Sequence, residues 1–151
     1  MSRRPECPVL LGAVSVSNDY TAQSRNLLVS FLEASRPKEL ARLVRQRRPY
    51  RQNPFSRPQT ATILRFLRDL DELSDPISDL EADGKSIPVL IRQYMKLGGR
   101  VLAFNLDPGF ANALDGLIVV DLRQTPLAAL ERYMSRQGAA SFLSYHRRRC
   151  A

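Results

Sequence analysis

Apolar residues recur along the chain with two different periods, and the changes of period mark out its elements. From Val9 to Val16 they form an almost unbroken run, which predicts a strand apolar enough to be central, with Gly12 marking a close approach or a bulge. Ser17-Asn-Asp ends that run. Ser17 or Thr21 is then placed to cap a helix in which Leu27, Leu28, Phe31 and Leu32 share a stripe while Arg25 and Glu33 face water. Arg36-Pro37 stops this helix, because a residue before proline avoids the α region. A second helix is predicted over 39–47, with Leu40, Leu43 and Val44 on its apolar side. Residues 49–58 hold three of the ten prolines and predict an irregular connector. Helical spacing returns from Thr60 to Leu73 through Ile63, Leu64, Phe66, Leu67 and Leu70, and Asp75-Pro-Ile-Ser-Asp is a turn or a new helix start.

The second half reads as helix, strand, turn, strand, helix. Pro88 suits a first helical turn, where its missing N–H needs no partner, and Val89, Leu90, Tyr94 and Leu97 fall near one face. Gly98 and Gly99 supply a left-handed stop. Val101 to Phe104 is then a short buried strand, broken by Asn105-Leu-Asp-Pro-Gly, and Leu117 to Leu122 a second one with the β-branched run Ile118-Val-Val. Pro126 opens a helix through Leu127, Leu130 and Tyr133, and a last helix follows Gly138 through Phe142 and Leu143. Three strands with long helical insertions predict an α/β or α+β class in one domain spanning residues 1–151.

Composition narrows the setting. The chain has 151 residues, 44% of them hydrophobic, enough to bury a core. No apolar run approaches the roughly 20 residues of a membrane span, and Arg3-Arg4 leads only into Pro5-Glu-Cys-Pro, so a cytoplasmic location is expected. Cys7 and Cys150 read as unpaired thiols, and no His/Cys/Asp/Glu cluster has metal-ligand spacing. Net charge is +8, unevenly spread. Residues 1–58 carry 11 bases against 4 acids, with Arg45, Arg47, Arg48 and Arg51 crowded together, whereas Asp69 to Asp83 holds seven acids and no base. Basic excess attracts phosphate in any form, whether nucleic acid, lipid headgroup or cofactor.

A family resemblance rests on Asp83-Gly-Lys-Ser-Ile-Pro-Val-Leu-Ile-Arg-Gln-Tyr-Met-Lys-Leu-Gly-Gly-Arg-Val-Leu-Ala-Phe-Asn-Leu-Asp-Pro-Gly-Phe and on Leu114-Asp-Gly-Leu-Ile-Val-Val-Asp-Leu. These blocks resemble the C-terminal part of the bacterial hemolysin-like acyltransferases, relatives of the ornithine-lipid N-acyltransferases. Gly12-Ala-Val-Ser-Val-Ser-Asn-Asp-Tyr, Tyr133-Met and Gly138-Ala-Ala-Ser-Phe-Leu extend the likeness, which is weakest over 49–79. The resemblance implies a partial GNAT-like fold: a mostly antiparallel sheet ordered 9–16, 117–122, 101–104, with helices packed on it. It also implies transfer of a fatty acyl group from acyl-CoA or acyl carrier protein to an amine or hydroxyl acceptor in membrane lipid synthesis. No cofactor would be held tightly, and the partners would be the acyl donor, a lipid-like acceptor, the inner-membrane surface and a donor-binding N-terminal half. That half would bring the Gly-rich turn that GNAT proteins use for pyrophosphate, which does not precede a helix here, so the chain resembles the acceptor-side portion.

Candidate residues follow from chemistry and resemblance together. Asp121, flanked by Val120 and Leu122, is the candidate catalytic residue, a carboxylate whose pKa would be raised so that it serves as general base; pairing or capping is the ordinary alternative. The implied substrate-binding set is Asn18, Asp19, Lys85, Arg92, Asn105, Asp107 and Asp115. Asn18 and Asp19 follow the first strand, where a GNAT sheet splays to admit its thioester, although a side-chain turn explains them equally. Lys85 would stand beside the entry of a helix capped by Ser86, with Asp83 near its positive end. Gly84-Lys-Ser lacks the earlier glycine that a P-loop needs. Arg92 offers two-point binding of carboxylate or phosphate, or else a solvated surface. Turn chemistry accounts for Asp107 and Asp115 without any ligand. A non-catalytic basic module, binding anionic lipid or nucleic acid through Arg45, Arg47, Arg48, Arg51 and Arg147 to Arg149, is the rival reading.

Overall fold

Three strands, β1 (Val9–Val16), β2 (Arg100–Asp107) and β3 (Ala113–Asp121), form one antiparallel sheet in the order β1-β3-β2. The coordinates are a computed structural model that describes residues 6–52 and 57–149. β3 takes the middle position, paired on both edges, and its Leu114, Ile118, Val119 and Val120 are all buried. Gly12 faces Ile118 in the β1–β3 register, and the Tyr94 ring and hydroxyl occupy the space that a Cβ at Gly12 would need. Gly12 therefore marks a close approach; the one register shift lies in β2, between Val101 and Ala103.

Helices α1 (Ala22–Ala34), α3 (Arg57–Leu64), α4 (Ser74–Leu80), α5 (Val89–Lys96) and α6 (Leu127–Arg149), with the four-residue α2 (Lys38–Ala41), complete an α+β architecture. Thr21 caps α1 by accepting from Ser24 N–H, which settles the cap in favour of Thr21 over Ser17. The core joins Val14, Val16, Phe104, Leu114, Ile118 and Val120 of the sheet to Leu27, Leu28 and Leu32 of α1, Ile77 of α4, Ile91 of α5 and Leu130 and Phe142 of α6. Each such side chain contributes about 1.5–3 kcal/mol by leaving water.

Several boundaries differ from those the pattern predicts. β2 runs through Asp107 instead of stopping at Phe104, because Asn105 pairs with Asp115 and Leu106 with Leu114, and β3 correspondingly starts at Ala113. The helix predicted over 39–47 stops at Ala41 and passes into turns, leaving Leu40 and Leu43 exposed. The 49–58 connector is less irregular than predicted: Tyr50 N–H donates to Phe104 O, just after Arg48 O accepts from Leu106 N–H, and α3 begins at Arg57. Its residues 53–56, like Cys150, lie outside the described residues. The 60–73 segment is helical only to Leu64, and Ser74 starts a separate helix.

In α5 the buried anchor is Ile91, with Tyr94 and Met95 packed beside it; Val89 and Leu90 face out, since the helix enters from Pro88 two residues later than a Ser86 cap would require. Gly98 alone takes the left-handed stop, at φ +78°. The last two predicted helices meet at Ser135, whose φ of 66° and ψ of 163° interrupt α6; the second segment starts there, before Gly138, with Ser135 Oγ accepting from Gly138 N–H. No helix among the described residues is long and apolar enough to cross a membrane.

Candidate functional site

The sheet has two unlike faces, and the candidate residues divide between them. Helices cover the face of Val14, Phe104, Ile118 and Val120. Alternation along the strands sends Val9, Leu11 and Ala13 of β1, Asp115, Leu117, Val119 and Asp121 of β3, and Arg100, Leu102, Ala103 and Asn105 of β2 to the other face. Among the described residues the 40–47 segment lies over that second face. The result is a trough of about 510 Å³ walled by Val9, Leu11, Leu40, Leu43, Leu102, Leu117 and Val119, which meets a second hollow of about 300 Å³ at Val44 and Leu117. Arg100, Arg123 and Asp121 stand at one end, and Arg45, Arg47, Asn105 and Asp115 at the other.

Four of the eight candidates belong to this face. Asp121 ends β3 and forms a two-point ion pair with Arg123, accepting from Nε at 2.9 Å and Nη2 at 2.7 Å as well as from Arg123 N–H. The Arg123 guanidinium holds the Asp121 carboxyl below the usual carboxylate range, outweighing the opposite pull of partial burial. The raised pKa expected from its apolar neighbours is therefore corrected: Val120 and Leu122 point to the core, while Asp121 points to the trough and meets a cation. Asp115 accepts from Ser15 Oγ at 2.5 Å across the β1–β3 pair. Its register partner Asn105 accepts from Arg48 N–H through Oδ1 at 2.6 Å, which ties the 45–50 segment to the sheet edge. Asp107 accepts from Gly109 N–H and caps the turn between β2 and β3.

The other four candidates are Asn18 and Asp19 in the loop before α1, Lys85 in the segment that leads into α5, and Arg92 on α5 itself. Asn18 donates through Nδ2 to Ala111 O and accepts from Arg25, joining the β1–α1 loop to the β2–β3 turn. Asp19 forms a side-chain turn, accepting from Ser17 Oγ at 2.9 Å, and its carbonyl accepts from Lys85 Nζ at 2.9 Å. Lys85 Nζ also meets Asp83 Oδ2 at 3.3 Å and Glu81 Oε2 at 3.5 Å, and sits 4.9 Å from the centre of the Tyr20 ring. Three acceptors satisfy the three donors of the ammonium. Burial acts to lower the Lys85 pKa, and Asp83 and Glu81 more than reverse it. Arg92 is turned to α4, reaching Asp71 Oδ1 at 2.9 Å, Ser74 Oγ at 2.9 Å and Ser86 Oγ at 3.2 Å. Ser86 is thus an acceptor for Arg92 and, through its carbonyl, for Tyr20 Oη; the side-chain cap expected of it on α5 is not formed.

Glu81 is the residue at this corner that the sequence reading passes over. Its side chain is 2% exposed and accepts from Thr21 N–H at 2.8 Å and Thr21 Oγ1 at 3.0 Å. Burial pushes its pKa up, but the hydrogen bonds from Ser24 and Thr21 and the Lys85 charge leave it lowered. The available signal was an acid flanked by Leu80 and Ala82 within the run of seven acids over 69–83. Arg123 was also missed, although it lies two residues from Asp121.

This corner is a closed set of partners, whereas the trough is open and lined on both sides by unlike chemistry. Among the described residues Arg45, Arg47, Arg48 and Arg100 are exposed and form no ion pair. The arrangement can hold an elongated apolar group under a strap that carries guanidinium groups, with an ionised carboxylate at one mouth. No family model, curated protein or solved structure matches the chain.

Proposed function

We propose that the protein takes part in fatty acyl transfer, with the acyl chain lying in the trough on the open sheet face and an amine or hydroxyl acceptor received at the Asp121 end. The observation that carries this reading is the trough itself. Its volume of about 510 Å³ falls in the roughly 300–1,000 Å³ range of small-molecule sites, and its walls are aliphatic along the strands with charge only at the ends. The likeness of 83–122 to hemolysin-like acyltransferases supports the same chemistry, with the sheet as the acceptor-side portion of a GNAT-like fold and with acyl-CoA or acyl carrier protein as donor.

Asp121, kept ionised by Arg123, attracts an ammonium acceptor and orients its nitrogen. A carboxylate held below its usual range is a weak base, so water takes one proton from the ammonium and frees the nitrogen lone pair. The lone pair attacks the thioester carbonyl, the C–S bond breaks, and the second nitrogen proton passes through water to the leaving thiolate. Asn105 holds the strap that closes the other end by accepting from Arg48 N–H.

Calorimetric titration of the full chain with palmitoyl-CoA, against coenzyme A without the acyl chain, tests the reading. Saturable binding of palmitoyl-CoA, weak binding of coenzyme A, and a several-fold loss in Leu11→Gln are expected, followed by amine-dependent thiol release. Leu11 is 67% exposed, so its replacement leaves the fold intact. Equal binding of the two ligands, or none, overturns it.

A further inference from the structure

We infer that the strap and open sheet face form a docking surface for an anionic lipid bilayer. Leu43, at the crest of the strap, is 82% exposed, and Leu11 beside it on the sheet 67%. Water-facing leucines on adjacent elements form one apolar patch instead of scattered single contacts. Around it stand Arg45, Arg47 and Arg100, exposed and without ion pairs among the described residues. Against the guanidinium groups of Arg45, Arg47, Arg100 and Arg123 this face carries the two carboxylates of Asp121, paired with Arg123, and Asp115, bonded to Ser15, so its balance is basic.

An apolar crest ringed by uncompensated guanidinium groups matches the boundary of a bilayer, where acyl chains lie just beneath phosphate. Nucleic acid would satisfy the arginines but not the leucines: single-strand binding faces use aromatic rings for stacking, and the apolar residues that line this trough are aliphatic. The inference stands on exposure and charge, independently of acyl transfer. Vesicle binding without palmitoyl-CoA binding would leave it in place and remove the proposed function.

Co-sedimentation of the full chain with vesicles of phosphatidylglycerol and phosphatidylcholine, against phosphatidylcholine alone, tests it. Binding to the anionic vesicles at least tenfold tighter, weakened by salt, is expected. R45E/R47E and, separately, Leu43→Asp are expected to lower that affinity tenfold or more while circular dichroism stays unchanged. R65E/R132E, with the same change of net charge on other exposed surfaces, is expected to lose less than threefold. Equal losses in the two double variants, no preference for anionic vesicles, or an oligonucleotide that displaces the vesicles and binds Leu43→Asp as well as the parent would each overturn the assignment.

Discussion

Glu81 accepts hydrogen bonds from both the backbone N–H and the hydroxyl of Thr21, at 2.8 Å and 3.0 Å, across 60 residues of sequence. The contact fastens the acidic segment before α5 to the first turn of α1, where a carboxylate also complements the helix dipole. It further aligns Lys85 with the carbonyl of Asp19.

Replacing Glu81 with Ala removes a buried carboxylate that accepts from Thr21 N–H and Oγ1, and leaves Lys85 less compensated. A loss of about 1–3 kcal/mol is expected, visible as a fall in Tm of roughly 2–4 °C per kcal/mol for a chain of this size. An unchanged Tm would show that Thr21 and Lys85 find water as readily as Glu81.

The same carboxyl gives acid sensitivity with a definite sign. Its folded pKa is lowered, so the unfolded chain protonates first. The stabilisation is complete above the unfolded glutamate value of about 4.3. It is lost as pH falls through the folded value. Parent and Glu81→Gln, compared by urea denaturation at neutral and acid pH, should therefore differ most near neutrality and converge in acid.

Gly12 and Tyr94 form a coupled pair, because the Tyr94 hydroxyl is the atom nearest to where a Cβ at Gly12 would stand. Gly12→Ala is expected to cost about 1–3 kcal/mol through overpacking. Tyr94→Phe removes the colliding oxygen, so the double variant should recover part of that loss, with a coupling of about 0.5–1 kcal/mol in a thermodynamic cycle.

Ser135 occupies a backbone region that only glycine enters freely, at φ 66° and ψ 163°. Ser135→Gly should stabilise by about 1 kcal/mol, since glycine gives up only a few tenths as a cap. Ser135→Val should destabilise by more than that. Thermal denaturation of the two variants separates strain from capping: loss of the Gly138 N–H contact alone would make both worse.

The strands and the helix that carries Leu27, Leu28 and Leu32 were legible because burial leaves a periodic trace, whereas the strand order was an expectation of the family resemblance. What local patterns could not give was the use of each face. Leu40 and Leu43 repeat at helical spacing, yet the helix ends at Ala41 and both leucines overhang the open side of the sheet. Asn105 and Asp107 read as breakers, because their pairing with Asp115 and Ala113 belongs to a hairpin partner later in the chain. Among the candidate residues, spacing located Asp121 but not the sign of its pKa shift, which depends on which side of β3 it projects from. Nor could it show that the three donors of Lys85 are already engaged, since Asp19 lies 66 residues away.

Asp121 and Arg123 provide the most direct probe of the trough's charged mouth. Arg123→Ala removes the leading cause of the lowered carboxyl pKa, so the Asp121 resonance should titrate closer to the ordinary value of about 3.9. The effect on stability should be small, about 0.2–1 kcal/mol, because the pair is partly solvated. It has the acid-labile sign: present above the unfolded pKa and lost as pH falls through the folded one. Binding should change more than folding. In acyl transfer to an amine, Asp121→Asn removes the charge that receives the ammonium group, raising the KM for the acceptor while leaving palmitoyl-CoA affinity within about twofold. A fall in kcat at unchanged acceptor KM would instead assign Asp121 to the proton transfer itself.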